Sequence, residues 1–399
     1  MQPREQAFSR SYHFYMRELS SLSWIWPRAA YLHIPFCAHR CGYCDFAVTA
    51  GQDHLFEPYV DALIKEISAI SEPSEVDSIF IGGGTPTYLP PAILKRLLQA
   101  INCWLPLRAS GEFSVEATPE SVGEETIKVL ADHGVNRLSL GVQSFRKDSL
   151  EQLDRIHGPQ HVVPALDRVR RRIANVSLDL IFGVPGQSLA DWEADLDNTI
   201  SLSPEHISTY GLTYEKGTPM WKRRKKGLIV AIPEEMELDM YLASMDRLPN
   251  SGYPQYEVSN FAKPGRRCRH NEVYWANDAY FGFGVGAARF IQGKRELNCR
   301  NTADYIRRIN EGPGATLQSE CLTEEESARE TLAIQLRRTD GISREQFLLR
   351  TGLAYDGLVK ERPKVLLAEN LIVDDGQRIY LTRKGYCVAD AIVSNLAFG

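Results

Sequence analysis

Long apolar runs are missing from this chain of 399 residues. No stretch approaches the roughly 18 residues that cross a bilayer. The residues before Trp26 set Arg4, Arg10 and Arg17 among Glu5 and Glu18 with no continuous apolar core. Neither a membrane-spanning segment nor a signal peptide is therefore expected, and a cytoplasmic location is. Cysteine is sparse, with 8 in all, too few for a disulfide scaffold at this length. An excess of basic charge is also lacking. Lys and Arg number 46 against 51 Asp and Glu, so the whole-chain field gives no reason to expect a nucleic-acid partner. No internal repeat of fixed period occurs. What remains, 43% hydrophobic and 24% charged residues, is ordinary globular composition, enough for one large domain and a smaller one.

From residue 29 the chain alternates short β-branched or apolar runs with amphipathic stretches, the pattern of βα units around a parallel sheet. The runs Tyr31 to Ile34, Ile79 to Gly82, Phe113 to Ala117, Leu138 to Val142, Ser177 to Phe182 and His206 to Leu212 are expected strands. Between them, Tyr59 to Ile70, Ala92 to Ile101, Glu124 to His133 and Leu189 to Ser201 are expected helices, the last capped by Ser188. The fold class is thus α/β, a partial (β/α)6, TIM-like barrel over residues 28–230 after an N-terminal extension of 1–27. After Lys226 the alternation breaks into aromatic- and glycine-rich sequence, read as an elaboration of the barrel over 231–320. From Thr323, three helical stretches precede two strand-like runs joined at Asp375-Gly376, a favoured hairpin dipeptide, so 321–399 is expected to be a small winged-helix-like domain.

Three of the cysteines crowd into one loop after the first expected strand. The segment His33-Ile34-Pro35-Phe36-Cys37-Ala38-His39-Arg40-Cys41-Gly42-Tyr43-Cys44-Asp45-Phe46 has the spacing C-x3-C-x2-C. Three thiolates from one loop can hold three corners of a [4Fe–4S] cluster and leave the fourth iron for a non-protein ligand. The plainer alternatives are a structural zinc completed by His39 or a distant Cys, or inert thiols. In a βα barrel, chemistry sits on the loops at the C-terminal ends of the strands, and this loop lies there.

The loop resembles that of the radical S-adenosylmethionine (SAM) superfamily, and the stretch Tyr31 to Phe46 resembles its HemN/HemW group. That group comprises oxygen-independent coproporphyrinogen III dehydrogenases and related haem chaperones. The resemblance runs from about residue 29 to the C-terminus and identifies 321–399 with the group's HemN C-terminal domain. It implies that Cys37, Cys41 and Cys44 hold the cluster. It also implies that Tyr31, Tyr43, Gly83, Gly84 and Thr85 (within Ile81-Gly82-Gly83-Gly84-Thr85-Pro86-Thr87), Glu116, Gln143, Arg155 and Asp179 form the SAM site. Consecutive glycines at a strand end let a ligand approach the backbone closely, and polar residues inside apolar strands need partners once buried. The bland alternative at each of these is an ordinary turn, a buried hydrogen bond or, for Arg155, a surface helix residue. Gly183-Val184-Pro185-Gly186 resembles the turn near the adenine. An electron donor such as flavodoxin or ferredoxin, one electron of which lets the cluster cleave SAM to methionine and a 5′-deoxyadenosyl radical, is implied with the superfamily.

Within the group two readings stand. The dehydrogenase pattern has a further Cys where this chain has Phe46, and a longer segment before the cluster. Both departures favour the chaperone branch, whose partners are haem and haem-acceptor proteins. The alternative is a coproporphyrinogen dehydrogenase or another radical SAM enzyme that modifies tetrapyrroles. His270-Asn271-Glu272-Val273-Tyr274-Trp275 resembles the HNxxYW motif that the chaperone branch links to haem. Imidazole can ligate haem iron and the aromatics can pack on a macrocycle, while the plain alternative is core packing with satisfied hydrogen bonds. In Gly282-Phe283-Gly284-Val285-Gly286-Ala287-Ala288, many relatives carry His where Ala288 stands. Finally, Trp221-Lys222-Arg223-Arg224-Lys225-Lys226 is a basic run suited to anionic lipid or a haem acceptor, or simply to solvent.

Overall fold

The computed structural model describes residues 22–398, so most of the N-terminal extension lies outside the described residues. Strands β1 (Ala29–Ile34), β2 (Val76–Gly83), β3 (Leu107–Ala117), β4 (Arg137–Gln143), β5 (Asn175–Phe182) and β6 (His206–Gly211) follow one another in space as in sequence, all parallel. Helices α1 (Phe56–Ser68), α2 (Pro91–Trp104), α3 (Glu124–Asp132), α4 (Lys147–Gln152), α5 (Val162–Arg170) and α6 (Leu189–Ser201) connect them. Ser188 caps α6 by accepting from the Asp191 amide, as its position in the sequence led one to expect.

Side chains alternate strictly across these strands. One set, including Leu32, Ile79, Val115, Leu138, Leu178 and Ile207, is buried under the helices. The opposite set is mostly polar, with His33, Ser78, Glu116, Arg137, Ser139, Asp179 and Ser208 beside the apolar Phe80 and Ile181. A packed β/α barrel fills its interior with Val, Ile and Leu. Here the inner face is built to hold something else.

The chain beyond Lys226 is less irregular than its sequence suggests. After the short α7 (Pro219–Lys225) comes α8 (Glu234–Asn250), 17 residues long. It was not expected as a helix because its apolar stripe is weak. Tertiary packing supplies the missing drive: Trp192 of α6, fully buried, donates its indole N–H to the Met240 carbonyl (2.9 Å). The same region provides both edges of the sheet. Strand β7 (Asn260–Ala262) runs antiparallel to β6, and β8 (Phe281–Phe283) runs parallel to β1 on the far side. Between these edges lies α9 (Arg269–Ala276), whose first amides meet the Glu112 carboxylate of β3. Strands β9 (Ala288–Ile291), β10 (Lys294–Asn298) and β11 (Thr316–Cys321) form a separate antiparallel sheet, with α10 (Thr302–Glu311) packed on α1.

The C-terminal region has its own core. Helix α11 (Glu324–Gln335) begins at a Thr323–Glu326 capping box, followed by strand β12 (Ile342–Ser343) and helices α12 (Arg344–Thr351), α13 (Tyr355–Val359) and α14 (Pro363–Ala368). The hairpin β13 (Ile372–Asp374) and β14 (Arg378–Leu381) turns where expected, with Gly376 at φ 85°. Two further helices, α15 (Arg383–Tyr386) and α16 (Ala389–Phe398), complete the domain. It is joined to the barrel through α9: Gln335 donates to the Ala276 carbonyl, and Arg350 pairs with Asp278 (2.6 Å).

Candidate functional site

A cavity of about 1060 Å³ opens at the C-terminal ends of the strands and runs into the barrel. Cys37, Cys41 and Cys44 lie at its mouth on the loop after β1, partly exposed and unpaired with one another. Burial pushes the Cys37 thiol up to about 12 and raises that of Cys44 as well, so these two sulfurs favour the protonated form until a cation is bound. Among the described residues no three His, Cys, Asp or Glu groups converge as a single ion would require. A four-iron cluster takes each thiolate on a different iron, and Cys37, Cys41 and Cys44 all face this one cavity. Two donors approach the sulfurs: Thr85 Oγ1 lies 3.7 Å from Cys37 Sγ, and Arg155 Nη1 lies 3.4 Å from Cys41 Sγ.

The glycine motif braces this loop directly. Gly84 donates its amide to the Ile34 carbonyl (2.8 Å) and Thr85 donates to Phe36 (2.8 Å). A Cβ on Gly84 would stand 2.7 Å from the Phe36 carbonyl oxygen and 2.8 Å from that of Ile34. Gly83, at φ 105°, has no room for a side chain because the His33 ring occupies the space. Its amide donates to Glu116 Oε2 (2.9 Å). Burial raises the Glu116 carboxyl to about 7, against the pull of that amide.

The remaining SAM candidates line the same cavity. Gln143 sits at a break in the β4–β5 register with φ 65°, a left-handed backbone uncommon for a residue with a side chain. Arg155 also donates to the Gly141 carbonyl (3.1 Å), so it is a half-buried residue of the cavity wall that joins the cysteine loop to β4. Asp179 is held by three hydroxyls, those of Ser139 (2.8 Å), Ser177 (3.0 Å) and Ser208 (2.7 Å). Tyr43, beside Arg155 and Cys41, and Tyr31 both have phenols raised by burial. The Tyr31 hydroxyl meets His33 Nδ1 (3.0 Å) while His33 Nε2 meets the Ala47 carbonyl (3.0 Å). Since a carbonyl only accepts, Nε2 carries the proton and Tyr31 donates to Nδ1.

His270 lies deep in the barrel, 1% exposed, stacked on Phe80 with centroids 5.3 Å apart. Both its nitrogens are engaged, Nδ1 with the Ser78 hydroxyl (3.1 Å) and Nε2 with the Tyr274 hydroxyl (3.0 Å). Asn271 and Tyr274 line the cavity with it, whereas Trp275 does not. Ala288 is also outside the lining, as are Gly183 to Gly186. Position 288 instead starts β9, where its carbonyl abuts Gly282. Within the turn at 183–186, Val184 is buried with Leu153, Ile181, Leu212 and Met220 behind the cysteine loop.

His33, Ser139, Ser208 and Arg137 belong to this site and were not singled out in the sequence. Their signal was present as polar residues recurring at every second position of otherwise apolar strands.

Comparison with known proteins identifies the family. The Radical SAM superfamily model matches residues 31–198 and the HemN C-terminal domain model matches 322–388. The chain is similar to the "Heme chaperone HemW" of Bacillus subtilis, 40% identical with 92% of this chain and 98% of that protein covered. The protein of the same name from Escherichia coli is 33% identical, with 90% and 95% covered. Among solved structures, the coproporphyrinogen III oxidase HemN from Escherichia coli superposes with a TM-score of 0.82 over 93% of this chain and 90% of that one. Identity there is 24%, a likeness of fold alone.

Proposed function

Because the chain belongs to the HemW family of radical SAM proteins, we propose that it binds haem and hands it to acceptor haemoproteins. The observation that carries this reading is the similarity over nearly the full length, 40% and 33%, to relatives named heme chaperones. Phe46 supports it, since it stands 64% exposed at the cavity mouth where the dehydrogenase pattern has a further thiol.

In this reading Cys37, Cys41 and Cys44 hold a [4Fe–4S] cluster, and Tyr31, Tyr43, Gly83, Gly84, Thr85, Glu116, Gln143, Arg155 and Asp179 hold SAM. When bound, the pair supplies one-electron cleavage of a sulfonium, and an electron carrier such as flavodoxin or ferredoxin feeds it. The protein's own work is to fix the partners. Glu116 offers a carboxylate to an ammonium group, and Asp179, already oriented by three serines, offers one to a ribose diol. Arg155 donates toward a sulfur and stays charged throughout. The hydrogen-bonded pair Tyr31–His33 ties β1 to the Ala47 carbonyl, and the His33 ring fills the space beside Gly83.

His270 is the proposed haem contact. It lies on the cavity wall with Tyr274, and iron ligation through Nε2 requires the Tyr274 hydroxyl to release it. A cytoplasmic location belongs to the same reading, and no described helix is long and apolar enough to cross a membrane.

Anaerobic incubation of the cluster-loaded protein with SAM and either haem or coproporphyrinogen III tests this function. Stoichiometric haem uptake without porphyrinogen turnover is expected. Decarboxylated product would replace the chaperone reading with that of an oxidase.

A further inference from the structure

The basic run read from the sequence as a free surface is fastened to the cluster loop. The amide of Met220, in the first turn of α7, donates to the carbonyl of Gly42 (2.9 Å), the residue after Cys41. Arg223 pairs with Asp154, and a Cβ on Gly42 would collide with that ion pair. One flank of α7 therefore rests against the loop that carries the three thiols. Lys222, Lys225 and Lys226 stand at i, i+3 and i+4, on one exposed face. Among the described residues Arg223 is the single member of the run in an ion pair. Arg224 lies over the Tyr214 ring and Lys225 over Trp221, contacts that leave both charges uncompensated. His39 and Arg40 on the cluster loop are exposed as well. In a chain of net charge −5, such a concentration of unpaired cations beside the cluster loop is an exception that its own carboxylates do not neutralise.

We infer that this face, Lys222 and Lys225 of α7, Lys226 at its C-terminal end and Arg40 of the cluster loop, is the docking surface for an acidic one-electron carrier protein that reduces the cluster. The inference rests on the cluster assignment made above and names its partner. In the step, the carrier loses one electron and [4Fe–4S]²⁺ gains it to become [4Fe–4S]⁺, with no atom transferred. Complementary charge accelerates such encounters and makes them sensitive to salt. Electron-transfer complexes need only small, weak interfaces, which a short helix and a loop can provide. A lipid surface fits less well. A membrane-bound helix needs an apolar face opposite its lysines, and that side of α7 is occupied by Met220 and Arg223 packed on the protein. Among the described residues, the exposed apolar groups near this face are Leu228 and Val230 just beyond the helix and Phe46 on the cluster loop, none of them on the helix itself.

The test compares cluster-loaded wild type with the triple variant Lys222→Glu/Lys225→Glu/Lys226→Glu. Cluster bleaching is followed by stopped-flow absorption with reduced flavodoxin, and separately with photoreduced deazaflavin, a small reductant that needs no docking. The triple variant should lose at least about tenfold in the flavodoxin rate, keep its deazaflavin rate, and lose the salt dependence seen in wild type. Lys→Gln at the same three positions should fall between. Equal flavodoxin rates in wild type and variant, or no flavodoxin reduction of wild type, would overturn the inference. So would binding of wild type to phosphatidylglycerol vesicles in preference to flavodoxin, abolished in the variant. Failure of wild type to assemble any cluster, measured as iron and sulfide content, would instead overturn the cluster assignment on which the inference rests.

Discussion

Gly83 and Glu116 meet across two neighbouring strands, the amide of one donating to the carboxylate of the other over 2.9 Å. The contact fixes the position of a buried carboxyl whose ordinary acidity burial has moved up to about 7. A cationic ligand group arriving there favours the charged form.

SAM affinity should therefore rise with pH through about 7, as Glu116 loses its proton. Glu116→Gln keeps an oxygen for the Gly83 amide but removes the charge. It should weaken SAM binding by about tenfold or more, the range of a charge-assisted hydrogen bond, and flatten the pH dependence. Equilibrium dialysis with labelled SAM between about pH 6 and pH 8.5 measures both; the pH window follows from the shifted carboxyl.

Gly84→Ala places a methyl group within 2.8 Å of two carbonyl oxygens of the cluster loop. The backbone cannot yield there without moving Cys37. Reconstituted iron content should fall severely while far-UV circular dichroism stays near that of wild type, because the sheet below is untouched.

His270 and His33 are both buried, and burial lowers their pKa values to about 3 and about 4 from an ordinary 6.5. For a histidine lowered in the folded state, the unfolded chain takes up protons first as pH falls. Stability from these groups is intact above about 6.5 and is lost progressively toward about pH 4 for His33 and about pH 3 for His270. Thermal melts should show this decline, and His270→Ala should reduce its slope while costing about 2–4 kcal/mol at neutral pH through a cavity and two orphaned hydroxyls. The same variant should weaken haem binding without changing cluster content, and Tyr274→Phe, which frees Nε2, should strengthen it. Unchanged haem affinity in His270→Ala would leave the residue a packing role alone.

Much of this was legible in the sequence, for physical reasons that differ by region. The six parallel strands announced themselves because they are apolar on one side and bounded by loops, and Ser188 and Asp375-Gly376 carried local turn chemistry. The spacing of Cys37, Cys41 and Cys44 stood out because all three lie on one loop. Helix α8 was hidden, since a helix held by Trp192 and by neighbouring elements needs little amphipathic signal of its own. The edge strands β7 and β8 are three residues each, too short for periodicity to show. His33 shows in the sequence as a polar residue at an alternate position of an apolar strand, but its role, linking Tyr31 to Ala47, depends on a contact across 14 residues that only the fold makes. The attachment of the basic run to Gly42 likewise required the tertiary structure.

The most direct test is electron paramagnetic resonance of the reduced protein with and without SAM. If Cys37, Cys41 and Cys44 hold a cluster with one iron open, wild type should give a [4Fe–4S]⁺ signal whose g-values shift when SAM binds, and Cys41→Ala should give none. A wild-type signal unmoved by saturating SAM, or an undiminished signal in Cys41→Ala, would contradict the account.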